Sequence, residues 1–143
     1  MKTSSLVLVL LLVFNLGLAY GQSSCFTATP LGKSDTCLHK VYTSEPEYWF
    51  SFVADSGTTD IILTNDTSRS VGHVHRLILY AGSCNGLIVI DSADVVDLSD
   101  AIRFQLEKLT VGTTYYVAAD TRIPACRTRC SQRARFDLCF QVR

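Results

Sequence analysis

The chain carries no surplus of charge: 13 Lys and Arg stand against 13 Asp and Glu in 143 residues. No global field therefore steers it toward nucleic acid, and no nucleic-acid-binding module is recognisable, so electrostatic contact falls to local patches. No apolar run reaches the 18 or more residues of a membrane-spanning helix. Past the first 21 residues no apolar stripe keeps a 3.6-residue period over three turns, which argues against amphipathic helices. Internal repeats and interdomain linkers are missing as well. The two close ligand pairs of a structural zinc site are lacking, because the only close cysteine pair is Cys126 and Cys130.

What is present begins with an export pattern. Lys2 precedes the apolar run Leu6 to Phe14, and the small residues Ala19 and Gly21 suit signal peptidase, which places cleavage after Gly21. Residues 1–21 thus read as a signal peptide and residues 22–143 as one domain, large enough to bury a core. An uncleaved membrane anchor is the weaker reading, because the apolar run is short. Without Lys2 the exported chain has 12 basic against 13 acidic side chains, a net charge of −1.

All six cysteines, Cys25, Cys37, Cys84, Cys126, Cys130 and Cys139, lie in the exported part, so disulfides formed in an oxidising compartment are expected. The pairing favoured is Cys25 with Cys139. Cys139 has the outward phase of the last strand, and an N-terminal segment can cross outside the sheet to reach it.

Hydrophobic residues alternate with period two, the pattern of half-buried strands. Strands are expected at 47–54, 60–65, 74–81, 87–91, 101–108, 113–119 and through Phe136, Leu138, Phe140 and Val142. Asp55-Ser56-Gly57 and Val111-Gly112 mark turns, and Asn85-Gly86 suits a hairpin because both residues tolerate positive φ. Seven or eight short strands must cover their apolar faces with a second layer. The expected fold is all-β, an antiparallel sandwich or jelly roll.

Several residue groups carry possible chemistry. Gly82-Ser83-Cys84-Asn85-Gly86 has the outline of a cysteine nucleophile elbow, yet a strand follows where an elbow needs a helix, so a disulfide-bonded hairpin is the better reading. His73 and His75 share a strand face as potential metal ligands but lack a third partner. Asp91, Asp94, Asp97 and Asp100 recur in what reads as a loop, without the glycine and terminal glutamate of a calcium loop. No metal and no cofactor are expected.

Segment 122–135 holds Arg122, Arg127, Arg129, Arg133 and Arg135 and no acid. Guanidinium forks match sulfate, phosphate and carboxylate, so this stretch suits an acidic glycan, an anionic lipid surface or an acidic protein; the other reading is a solvated loop stapled by Cys126 and Cys130. Asn65-Asp66-Thr67 is a glycosylation sequon if the source is eukaryotic. Adjacent residues on a strand face opposite ways, so one of Tyr48 and Trp49, and one of Tyr115 and Tyr116, points outward as a sugar-stacking candidate. Trp49 and Tyr116 are the ones expected there.

The chain also resembles the bacterial pre-peptidase C-terminal domain family. The resemblance rests on Tyr48-Trp49-Phe50-Ser51-Phe52, on Leu77 through Cys84 (LILYAGSC), on Ile102-Arg103-Phe104, on Leu109 through Val117 (LTVGTTYYV), and on Phe136-Asp137-Leu138-Cys139. It implies a jelly-roll-like, non-catalytic module, an accessory of secreted enzymes or surface proteins, with carbohydrate or protein binding. Segment 122–135 and the absence of an attached catalytic domain depart from the family pattern. The expectation is an extracellular, non-enzymatic binding or adhesion module that contacts a glycan or protein through its loops. The alternative is a secreted structural or defence protein, or a protease inhibitor that presents the arginine segment.

Overall fold

The computed structural model describes residues 24–32, 36–66, 72–95, 101–122 and 133–142. A 3-10 turn at Cys25–Thr27 leads into nine strands: β1 Thr29–Pro30, β2 Thr36–Thr43, β3 Glu47–Val53, β4 Thr59–Asn65, β5 His73–Ser83, β6 Gly86–Asp94, β7 Ile102–Leu106, β8 Thr114–Arg122 and β9 Ala134–Val142. They form a five-stranded sheet in the order β1-β3-β8-β5-β6 and a four-stranded sheet in the order β2-β9-β4-β7. The fold is an all-β sandwich, as its alternation requires. The expected signal peptide at 1–21 lies outside the described residues, as do Asp97, Asp100, Cys126, Arg127, Arg129 and Cys130.

The alternation read from sequence becomes alternation in burial. In β7, Ile102, Phe104 and Leu106 are buried while Arg103 and Gln105 are exposed. Phe50 and Phe52 of β3, Leu77 and Leu79 of β5, Val117 of β8, Ile61 and Leu63 of β4, and Phe136, Leu138 and Phe140 of β9 fill the space between the sheets. Each such side chain contributes about 1.5–3 kcal/mol through burial. Aromatic contacts tie the layers: Phe52 and Phe140 lie 4.8 Å apart between centroids, and Phe50 meets Phe136 edge-on at 6.2 Å.

A second joint is polar. Asn65, at the end of β4, accepts the Val74 N–H through Oδ1 and donates Nδ2 to the Val74 carbonyl, both at 2.8 Å. Its side chain thus substitutes for a missing strand partner and binds one sheet to the other. The same arrangement bears on the sequon. Asn65 is only 5 % exposed, and both amide atoms are committed, so a glycan on Nδ2 is incompatible with the folded domain.

Among the described residues there are two disulfides, Cys25–Cys84 and Cys37–Cys139. The expected Cys25–Cys139 bond is therefore wrong, for a geometric reason. Cys139 does face outward, but from the four-stranded sheet, where Cys37 lies directly opposite on β2 with a Cα–Cα distance of 4.1 Å. Cys25 packs against the outer face of the other sheet. Stacked sheets sit about 10 Å apart, so the two residues are beyond the reach of one disulfide.

The hairpin between β5 and β6 forms, but its turn is shifted from the expected Asn85-Gly86. Ser83 pairs with Gly86, leaving Cys84-Asn85 as the loop, and the positive φ falls on Gly82 (φ 103°). A Cβ on Gly82 would stand 2.6 Å from the Gly86 carbonyl oxygen, so the turn demands glycine there twice over. Asp91 and Asp94 belong to β6 and not to a loop.

Candidate functional site

Inward packing of one set of side chains fixes where the other set goes. On the five-stranded sheet, Phe50 and Phe52 face the core, so Glu47 and Trp49 face out; Val117 and Ala119 face in, so Tyr116, Asp120 and Arg122 face out; Leu77 and Leu79 face in, so Ile78 and Tyr80 face out. The strand registers then order these residues into rows across the sheet. Ser51, Tyr116 and Tyr80 form one row, Trp49, Ala118 and Ile78 the next, Glu47, Asp120 and Arg76 the next, and Arg122 with His73 the last.

The aromatic part is a compact cluster. Trp49 and Tyr80 lie 5.1 Å apart with planes inclined by 31°, and Ala118 leaves the space that they occupy. Trp49 is 7 % exposed because Cys25 and Ala28 pack against the cluster, held there by the Cys25–Cys84 bond. Tyr80 and Tyr116 remain half-buried and present ring surface to solvent. Trp49 Nε1 donates to Glu47 Oε2 at 3.1 Å, which orients that carboxylate beside the rings. Burial, followed by the negative charges of Glu47 and Asp120, pushes the Tyr80 hydroxyl pKa above its ordinary value. The hydroxyl therefore stays protonated and available as a donor.

Along the next rows the sign of charge changes. Arg76 is committed to Asp94 through a 2.6 Å bond, while Arg122 is exposed beyond Asp120 at the end of β8. Burial, then Arg122, then His75 hold the His73 imidazole below its usual pKa. Gly72, next to His73, donates its N–H to the Arg133 carbonyl at 2.9 Å and accepts from the Arg135 N–H at 3.3 Å. The arginine segment accordingly leaves β8 and enters β9 at one end of the sandwich.

Its described arginines nevertheless part company. Arg122 belongs to the outer face of the five-stranded sheet and Arg133 is exposed at the start of β9. Arg135 lies on the outer face of the other sheet, bonded to Asp66 at 3.0 Å and stacked over Tyr42 at 5.4 Å. It is an internal fastening.

The remaining candidates do not assemble into chemistry. Cys84 is in a disulfide and is followed by β6, so it has no thiolate to offer as a nucleophile. A bulge in β5 between Val74 and Arg76 interrupts the alternation at His75. Among the described residues no three His, Cys, Asp or Glu side chains gather as metal ligands, and Asp94 is spent on Arg76. Sequence reasoning missed Tyr80, Glu47 and Asp120. Strand parity would have found them, since Glu47 shares the phase of Trp49, Asp120 that of Tyr116 and Arg122, and Tyr80 has the phase opposite to the inward Leu77 and Leu79.

No protein-family model matches the chain, and no curated protein does. Solved structures do match. The chain is similar in structure to the pre-peptidase C-terminal domain of a collagenase from Bacillus anthracis. The two share 11 % identity with a TM-score of 0.48, over 80 % of this chain and 94 % of that one.

Proposed function

We propose that the chain is a secreted, non-catalytic module that binds an acidic glycan on the outer face of its five-stranded sheet. One observation carries the reading: Tyr80, paired with Tyr116 across the sheet, feels the Glu47 and Asp120 carboxylates further along, and Arg122 follows on the same face. Aromatic faces stack on the apolar face of a sugar ring. Carboxylates and the Tyr80 hydroxyl hydrogen-bond sugar hydroxyls, and a guanidinium fork receives a sulfate or carboxylate substituent. Export is supported by the signal-like residues 1–21 and by the two disulfides, which persist in oxidising compartments.

The test uses protein purified from culture medium, with a mature mass that begins at Gln22. On an array of sulfated, uronate-bearing and neutral glycans the wild type retains acidic members. Arg122→Ala reduces that retention about tenfold, the worth of one charge-assisted contact of 1.4 kcal/mol, and Tyr116→Ala weakens both the acidic and the matched neutral glycans. No retention by the wild type, or equal retention by Arg122→Ala, overturns the reading.

A further inference from the structure

The five-stranded sheet ends in a strand whose first half is exposed on both faces while its second half packs on the core. That strand is β6. Among the described residues it is hydrogen-bonded to β5 alone, so its other edge presents unpaired N–H and carbonyl groups. Only Leu87, Ala93 and no residue between them are even half-buried. The consecutive aliphatic residues Ile88, Val89 and Ile90 are 66, 57 and 51 % exposed.

Sheet edges are ordinarily blunted by lysine, proline or inward charge, because an apolar edge is a template for another strand. β6 contains no lysine, arginine or proline. A bulge at Ile90 is its one irregularity, and the acids Asp91 and Asp94 occupy only its second half.

The placement of those acids indicates which strand fits. Antiparallel alignment of two β6 strands about Val89 sets Val89 opposite Val89 and Ile88 opposite Ile90, and places Asp91 opposite Leu87 and Asp94 opposite Cys84, so that no acid faces an acid. In-register parallel alignment would stack Asp91 on Asp91, which is unfavourable. A patch that is self-complementary only in the antiparallel sense is the requirement for a two-fold interface. The balanced charge of the chain puts no long-range repulsion between copies. We propose that two copies of this chain associate through antiparallel pairing of their β6 edges, joining two five-stranded sheets into one of ten.

Sedimentation equilibrium on the exported chain over a range of concentrations tests this, with far-UV circular dichroism verifying that each variant is folded. The wild type is expected to move from one to two chain masses as concentration rises. Val89→Lys, which puts two cations near the two-fold axis, weakens association by about tenfold or more. Val111→Lys changes a side chain that is 63 % exposed but lies away from β6, and it leaves association unchanged. Hydrogen exchange supplies a second readout: amides of 87–90 become protected as the dimer fills. A wild type that stays monomeric up to millimolar concentration overturns the proposal, as does a dimer that Val89→Lys does not weaken.

Discussion

Replacing Asn65 with alanine tests the polar joint between the two sheets. Val74 is fully buried, and its N–H and carbonyl both bond to the Asn65 side chain at 2.8 Å. Alanine removes both partners and leaves two backbone groups without them in a place that water does not reach. An orphaned buried group costs about 1–3 kcal/mol, so Asn65→Ala is expected to destabilise the domain by about 4 kcal/mol. For a domain of this size that lowers Tm by about 15 °C. Urea denaturation at neutral pH gives the number directly, provided that the m-value is unchanged.

Asn65→Asp sharpens the test. The carboxylate keeps an acceptor for the Val74 N–H but faces the Val74 carbonyl without a donor, so burial raises its folded pKa above the unfolded value. A raised carboxylate pKa contributes stability that is present below the unfolded pKa and lost as pH rises through the folded one. Asn65→Asp therefore approaches the wild type in acid and falls away toward neutrality, while Asn65→Ala shows no such convergence. The sequon has the matching outcome: folded protein secreted by a glycosylating host carries no glycan on Asn65, as read by intact mass. A loss under about 1 kcal/mol for Asn65→Ala, or a native domain glycosylated at Asn65, would refute the clamp.

Two further measurements check other parts of the structure. The His73 imidazole, held down by burial and then by Arg122, should titrate below 6.5 in an NMR titration, so its share of stability is present above the unfolded pKa and lost as pH falls through the folded one. A bound acidic glycan should raise that pKa, and a free-state value at or above 6.5 would contradict the geometry. Removing the Cys37–Cys139 bond, which closes a sequence separation of 102, by Cys37→Ala with Cys139→Ala should cost about 4–5 kcal/mol in denaturation with the other disulfide intact. A cost near zero would mean that the bond does not form.

What the sequence disclosed and what it hid follow from the range of the interactions concerned. β3, β7, β8 and β9 announce themselves because their period-two pattern is local. β2 does not, because its pattern is broken: Lys40 sits at φ 55° in a bulge between Leu38 and Val41, and its N–H is taken by the Asp137 carboxylate at 2.6 Å. That bond and His39 hold Asp137 below the usual carboxylate range. A repair made by a residue 97 positions away leaves no local signature. β1, two residues ending in proline, is too short to show one.

Site and disulfides divide the same way. Parity put Trp49 and Tyr116 outward and Cys139 outward, and each is so. Parity does not say from which sheet. That missing bit of information separated Cys25 from Cys139, and it divided Arg122 from Arg135, which the sequence presents as one basic stretch. The sequon failed for a related reason: Asn-x-Thr is a local pattern, whereas the burial of Asn65 is set by β5.

The exposed edge of β6 and the aromatic face of the five-stranded sheet bear on each other. Antiparallel edge pairing about a two-fold axis normal to the sheet leaves both outer faces on the same side of the ten-stranded sheet. Two glycan-binding faces would then address one surface, and a repeating acidic glycan could engage both without any new contact in either. Linked sites commonly gain about 10²–10⁴ in avidity when geometry permits both to bind. A single face carrying two tyrosines, two carboxylates and one arginine is a small site, and partial exposure limits what each contact contributes. Doubling it through an edge that a solitary sandwich would be expected to blunt offers one physical reason for an aliphatic strand to remain on the rim.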